Sequence, residues 1–393
     1  MSARLKEPEA NTQHTTRKEN FVLQLVESMA QKALAGETLS RQDARSLIDV
    51  QGDDIYDLFY WANKLRIHFK GREVRFCAIV AAKVGGCSED CQFCAQSSHY
   101  QTAVQGQAKL TDQQVLDSAA HAAQVGADSF GIVNSGRGPT RGELENWLAP
   151  LLQKIATSGK TRACATLGAL TPETARYLHD TGVRRVNHNL ETSRNFYPTI
   201  VSTHPYEERL NTLKVAKAAG LSLCSGGIFG MGESWEDRLD MVFTLRDIGV
   251  DVMPLNFLNA IPGTPLENRP KLPPMECLKI ISLCRFIYPG VELKVAGGRE
   301  VCLRDMQSWI FFAGADSTMI GNYLTTYGRS PAADHQMVRD LGLNWRGYEN
   351  GPVPPKSPKP ALSRISHTGR FNIPILHEAE AQVDQETAAA ALR

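Results

Sequence analysis

The sequence predicts a (β/α)8 TIM barrel preceded by an N-terminal helical cap. Two patterns carry this prediction, and a third says where the chemistry lies. Eight short apolar runs, at 75–82, 128–134, 162–167, 184–191, 221–228, 252–259, 291–296 and 317–322, alternate with amphipathic stretches over about 250 residues. Ahead of them, from Phe21 to Phe69, apolar residues such as Val26, Met29, Leu47, Ile48, Leu58 and Leu65 recur at helical spacing. Three cysteines crowd the loop after the first run, at the carboxyl end of a strand, where barrel enzymes keep their chemistry. An open doubly wound sheet is the alternative, but it calls for fewer strands and a phosphate-binding turn near its start.

Taken in order, residues 1–18 read as a disordered tail and 19–70 as the helical cap, with Ser40 and Asp43 as an N-cap pair. Residues 71–345 form the barrel. Its helices are expected at Thr111–Gln124, Arg141–Ser158, Pro172–Thr181, Pro205–Ala219, Ser234–Ile248, Pro273–Ile287 and Glu300–Ala313. Several open on Ser or Thr followed by Pro or an acidic residue, as helix starts do. Residues 346–393 carry the run Gly351–Pro360, too rich in proline for a helix or a ladder, and read as a mobile tail.

Charge excludes some partners. With 43 basic and 42 acidic residues the net charge is +1, no electrostatic case for nucleic acid or an anionic membrane. No apolar run reaches about 18 residues, so no membrane span is expected. Met1–Asn20 lacks the apolar centre of a signal peptide. Nine cysteines, three of them in one loop, argue against a disulfide framework and for a reducing cytoplasm.

The loop reads Gly85-Gly86-Cys87-Ser88-Glu89-Asp90-Cys91-Gln92-Phe93-Cys94, a C-x3-C-x2-C spacing. Three thiolates on one small object suit an iron–sulfur cluster and leave one iron of a cubane open to another ligand. A zinc knuckle is the alternative, with His99 as the only nearby fourth ligand. On the fourth run Asn187, Asn189 and Glu191 share one face by the period of two, and Val186, His188 and Leu190 share the other. The apolar face packs on helices, so the polar trio points inward, where amides and a carboxylate need partners. By the same parity His188 is a packing residue, not a base. A polar network inside the barrel is the alternative to ligand contacts.

The cysteine spacing is the radical S-adenosylmethionine (SAM) signature, and residues 75–328 resemble the biotin synthase family. The resemblance runs through Cys87–Tyr100, Arg162–Gly168, Asn187–Ser193, Cys224–Glu233, Asn256–Leu266 and Ala296–Glu300. It implies SAM on the open iron of a [4Fe-4S] cluster held by Cys87, Cys91 and Cys94. A 5′-deoxyadenosyl radical then takes hydrogen from dethiobiotin, and an auxiliary [2Fe-2S] cluster gives the sulfur that closes the thiophane ring. It further implies that Phe93, Asn134, Ser135, Asn189, Glu191 and Gly227 bind SAM, and that Asn187 and Asn256 bind substrate. Glu191 stands where the family has Asp. Cys164 and Cys224 match auxiliary-cluster positions, whereas Cys77, Cys277, Cys284 and Cys302 match none and read as core.

Two departures bear on the auxiliary site, which in the family uses three cysteines and an arginine. Gly131 replaces the second-strand cysteine and Lys294 the arginine. Glycine cannot ligate, and lysine lacks arginine's planar fork. Lys294 is therefore a metal ligand only in its neutral form, or else a hydrogen-bond donor to the cluster. The resemblance also implies a flavodoxin or ferredoxin as electron donor and a homodimer. Rival readings are a related radical SAM mutase or metal-cofactor maturase without sulfur insertion, and a non-catalytic iron–sulfur electron carrier or sensor. The inward asparagines speak against the carrier, which needs no polar substrate cavity.

Overall fold

The computed structural model describes residues 12–347, apart from 105, 107 and 108. Most of the two expected tails, residues 1–11 and 348–393, therefore lies outside the described residues. The first helix, α1 (Thr12–Leu34), begins seven residues ahead of the expected cap boundary. Nothing between Thr12 and Asn20 is Gly or Pro, so the helix propagates back from its packed turns. The cap continues with α2 (Arg41–Ile48), opened by the Ser40/Asp43 capping box as expected, and α3 (Ile55–Lys70).

Ten strands follow: β1 (Glu73–Lys83), β2 (Ser129–Asn134), β3 (Arg162–Thr166), β4 (Arg185–Asn187), β5 (Ser222–Cys224), β6 (Gly227–Phe229), β7 (Val252–Phe257), β8 (Glu292–Val295), β9 (Ser317–Met319) and β10 (Asn344–Arg346). All pair in parallel, and β9 pairs with β1 to close the barrel, with β5 and β6 as two pieces of one stave. Between them lie α4 (Asp112–Gln124), α5 (Arg141–Glu143) continuing through a π-turn at Leu144–Leu148 into α6 (Ala149–Ser158), α7 (Pro172–Asp180), α8 (Tyr206–Ala218), α9 (Trp235–Ile248) and α10 (Pro274–Ile287). The (β/α)8 architecture expected from the sequence is present.

The differences are local. The expected strand 221–228 breaks at Ser225-Gly226, because Pro254 on the neighbouring β7 has no N–H to give the ladder. A Cβ on Gly226 would lie 1.8 Å from the Pro254 carbonyl oxygen, so only glycine fits. Strand 184–191 shortens to β4 and touches its neighbour again at the Glu191–Gly227 bridge. Helix 300–313 divides into α11 (Arg299–Leu303) and α12 (Trp309–Phe312), with Arg304 between them at φ 51°. Two further elements, α13 (Pro331–Asp340) and β10, which adds to the outer edge of β1, were not expected.

The cap is not a separate layer. Val26, Ala30, Leu47, Leu58 and Leu65 close on Leu283 and Phe286 of α10, while Ala44, Ile55 and Phe59 join the main core. Under the barrel floor the Arg285 guanidinium is fully buried. It pairs with Asp316 and donates to the carbonyls of Gly314 at 2.8 Å and Val291 at 2.9 Å. Asp316 also accepts from the Leu293 amide at 2.8 Å. Removing one partner of a buried pair strands the other charge, so Asp316→Ala is expected to cost about 3–5 kcal/mol. Denaturant unfolding of the metal-free protein measures it, and a loss under about 1 kcal/mol contradicts this reading.

Candidate active site

The cysteine loop is a closed structure. Gly85 and Gly86 leave β1 at φ 73° and 61°, where a side chain would be strained. The Cys87 amide donates to Gln96 O at 3.0 Å, the Ser98 amide to Cys87 O at 2.8 Å and the Cys94 amide to Cys91 O at 2.9 Å. His99 engages the Ser88 carbonyl through Nε2 at 2.9 Å, which ties its ring to the loop backbone. Among the described residues no three His, Cys, Asp or Glu groups close on a single metal ion. Thiolates of a cluster sit on different irons and stand farther apart than ligands at about 2.3 Å from one zinc. Burial pushes the Cys91 thiol up to about 12 and the Cys94 thiol up to about 11, so loading a cluster here releases protons.

The segment after β4 clamps this loop. Gln92 N donates to Ile200 O at 3.0 Å, and the Asp90 carboxylate accepts from the amides of Ser202 at 3.0 Å and Thr203 at 3.1 Å. Burial alone would raise the Asp90 pKa, but the bonds from Ser202 and Thr203 hold it well below the usual carboxylate range. Glu89 pairs with His204 at 2.7 Å. On the other side, Ser135 Oγ donates to Gly85 O at 2.8 Å, and Asn134 has its buried Oδ1 unpartnered. Neither of these two residues reaches the central cavity wall.

That cavity, about 310 Å³, lies within the barrel and brings together residues 100 or more apart in sequence. Phe93 and Cys94 line it, as do Asn187, Asn189, Glu191 and Asn256, so the inward parity of the fourth run holds. Asn187 Nδ2 donates to Asn189 Oδ1 at 3.5 Å, to Cys224 O at 3.3 Å and to Cys224 Sγ at 3.2 Å. Asn189 Oδ1 also accepts from Gly226 N at 3.3 Å, and its amide donates to Glu191. Arg209, from α8, stands 3.5 Å from Glu191 and donates to Asn189 O at 2.9 Å. Burial raises the Glu191 pKa against the pull of Arg209, and Glu191 Oε2 is buried without a partner.

Asn256 holds its amide between two backbone groups, Gly227 O at 3.1 Å and Gly297 N at 2.9 Å. Gly227 itself does not line the cavity, and a Cβ there would meet Met241 Sδ at 2.3 Å and Glu191 O at 2.4 Å. Its glycine is required by close packing of protein on protein. His188 turns away from the cavity, and burial keeps its ring neutral, as expected of a packing residue, although Nε2 finds no partner among the described residues.

In the same cavity stand Cys164, Cys224 and Lys294, with Lys294 Nζ donating to Cys224 Sγ at 3.6 Å. Burial works to lower the Lys294 pKa, but the negative charge that Cys224, Cys77 and Glu292 carry when ionised outweighs it and raises the pKa. Gly131 forms part of this wall. Reading the sequence missed three groups here: Cys77, Arg185 and Arg209. The first two stand on the inward parity of β1 and β4, a signal present in the sequence. Arg209 sits on a helix with nothing local to distinguish it.

A closed parallel barrel with three cysteines looped after its first strand, above a cavity into which amides and a carboxylate point, defines a radical SAM enzyme. The Radical SAM superfamily model matches residues 83–265, and that of the Biotin and Thiamin Synthesis associated domain matches 254–344. The chain is 48% identical over 310 residues to the biotin synthase of Heliobacterium modesticaldum, covering 79% of this chain and 95% of that one. It is 46% identical over 320 residues to that of Geobacter sulfurreducens, covering 81% and 97%. The chain belongs to the biotin synthase family.

Its cofactors are accordingly a [4Fe-4S] cluster, SAM and an auxiliary iron–sulfur cluster. The fold is also shared with a methylornithine synthase (TM-score 0.71, 18% identity, 81% of this chain and 98% of that one). A maturase of the [FeFe]-hydrogenase shares it too (TM-score 0.70, 16% identity, 85% and 79%). Among the described residues no helix is long and apolar enough to cross a membrane.

Proposed function

We propose that this chain makes biotin from dethiobiotin with the residues of this one cavity. When bound, the [4Fe-4S] cluster with SAM supplies a carbon radical, and the auxiliary cluster supplies sulfur. The observation that carries the reading is that Cys94 of the radical loop and the pair Cys164 and Cys224 line the same cavity, with Asn187 in contact with Cys224. Cys87, Cys91 and Cys94 hold the first cluster. Asn189 and Glu191, oriented by Arg209, face SAM together with Phe93, and Asn134 and Ser135 approach from the β2 side. Gly227 serves SAM by setting the backbone that positions Asn256. Asn187 and Asn256 hold dethiobiotin between the two centres, and Cys164 and Cys224 hold the second cluster. The mutase and maturase alternatives have no use for two buried thiols beside the substrate amides.

The reductant is a flavodoxin or ferredoxin, and the enzyme works as a cytoplasmic homodimer. Growth of a biotin synthase-deficient bacterium on dethiobiotin tests the reading. Expression of this chain restores growth, and failure with soluble, iron-loaded protein contradicts it.

Asn187→Ala and Asn256→Ala are expected to raise the apparent KM for dethiobiotin while iron per chain stays constant. A buried amide that leaves its partner unsatisfied is worth about 1–3 kcal/mol, or roughly five- to 150-fold in affinity. Unchanged KM in both variants moves these asparagines to a purely structural network.

A further inference from the structure

The second cluster site is short of a thiolate at Gly131, and the barrel supplies one from the adjacent strand. We infer that Cys77, on β1, is the third protein thiolate of that site, beside Cys164 and Cys224. The inference rests on the two-cluster reading above and concerns only which residues complete the second site.

The six cysteines outside the loop fall into two groups. Cys277, Cys284 and Cys302 pack within the apolar core. Cys77, Cys164 and Cys224 are as buried, at 6%, 6% and 2% exposure, yet belong to neither apolar cluster and line the cavity. The parity of β1 explains this for Cys77. Phe76 and Ala78 are fully buried in the core outside the barrel, while Cys77 and Ile79 face inward.

Register places the substitute beside the gap. Cys77 is level with Ser129 and Ile79 with Gly131, while Gly131 is level with Cys164. Cys77 thus stands one strand across from Gly131 and one inward position down. A Cβ on Gly131 would come within 3.3 Å of Ile79 Cγ2 and 3.8 Å of Cys164 Cβ, so a side chain at 131 would press on Ile79.

A second, independent observation marks the place as a site for something anionic. Arg185, level with Cys164 on β4, is 4% exposed and lines the cavity, and its Nη1 has no partner. Its other contacts, Ser222 Oγ at 3.3 Å and Glu292 at 3.8 Å, do not engage that nitrogen. Lys294 adds a second buried cation against Cys224. Buried cations need paired anions, and thiolates carrying a cluster supply them.

The test uses the full chain, reconstituted anaerobically with iron and sulfide. Iron and sulfide per chain and the visible and Mössbauer spectra are compared for wild type, Cys77→Ser, Cys164→Ser/Cys224→Ser and, as a core control, Cys284→Ser. Cys77→Ser is expected to fall to the iron content of the double variant and to lose the same spectral component, while reductive SAM cleavage without dethiobiotin persists. Wild-type iron and spectrum in Cys77→Ser, with loss in the double variant, overturns the assignment and leaves the two-cluster reading standing. Wild-type iron in every variant overturns both.

Should Cys77→Ser fail to fold, alkylation of wild type before and after chelator stripping decides. Cys77 is protected only in the loaded protein if it is a ligand, and equal modification in both states overturns the proposal.

Discussion

Cys91→Ala is expected to abolish reductive cleavage of SAM to 5′-deoxyadenosine and to remove about four irons per chain, with the fold retained. Cys91 is buried in the main core, and its carbonyl accepts the Cys94 amide at 2.9 Å, a bond that alanine keeps. The loop is also tied down by Asp90, Glu89 and Gln92 against residues 199–204, none of which depends on the thiol. Losing a sulfur from the core costs about 1 kcal/mol of stability, far less than the whole fold. Two thiolates cannot hold a cubane with a single open corner. SAM cleavage at the wild-type rate in the reconstituted variant shows that the loop is not the radical centre.

The double variant Cys164→Ser/Cys224→Ser separates the two halves of the chemistry. Biotin formation is expected to fall to background while SAM cleavage continues, because the loop cysteines and this pair are separate sets of residues. Cys224 also receives the Asn187 amide at 3.2 Å and the Lys294 ammonium at 3.6 Å. Serine oxygens can accept those bonds, so the loss is read in iron content and sulfur delivery more than in stability. Undiminished biotin formation in this variant removes the second site from the reaction.

Much of the fold was legible because its signal is periodic. Parallel strands buried on both sides read as apolar runs, and the helices between them carry their caps in sequence. What could not be read was set by partners distant in the chain. The stave from 221 to 229 splits because Pro254 lies opposite it, and β10 exists only through Val74 and its neighbours some 270 positions earlier. The site divides in the same way. The cysteine loop is contiguous and self-declaring. The period of two placed Asn187, Asn189 and Glu191 inward, although Glu191 reaches the cavity at φ 70° and not as extended strand. The same period in β1 and β4 turns Cys77 and Arg185 inward, a pattern that by itself does not separate a ligand from a core residue. Arg209 comes from a helix whose docking the sequence does not encode locally.

On the proposed reading, sulfur moves into dethiobiotin from a cluster bound inside this barrel. This transfer is tested most directly by reconstituting the protein with isotopically heavy sulfide, removing unbound sulfide, and supplying SAM, dethiobiotin and a strong reductant without oxygen. Biotin carrying the heavy isotope, formed with 5′-deoxyadenosine, is the expected result. Normal formation of 5′-deoxyadenosine with no biotin, or with biotin that carries only ordinary sulfur, would contradict it.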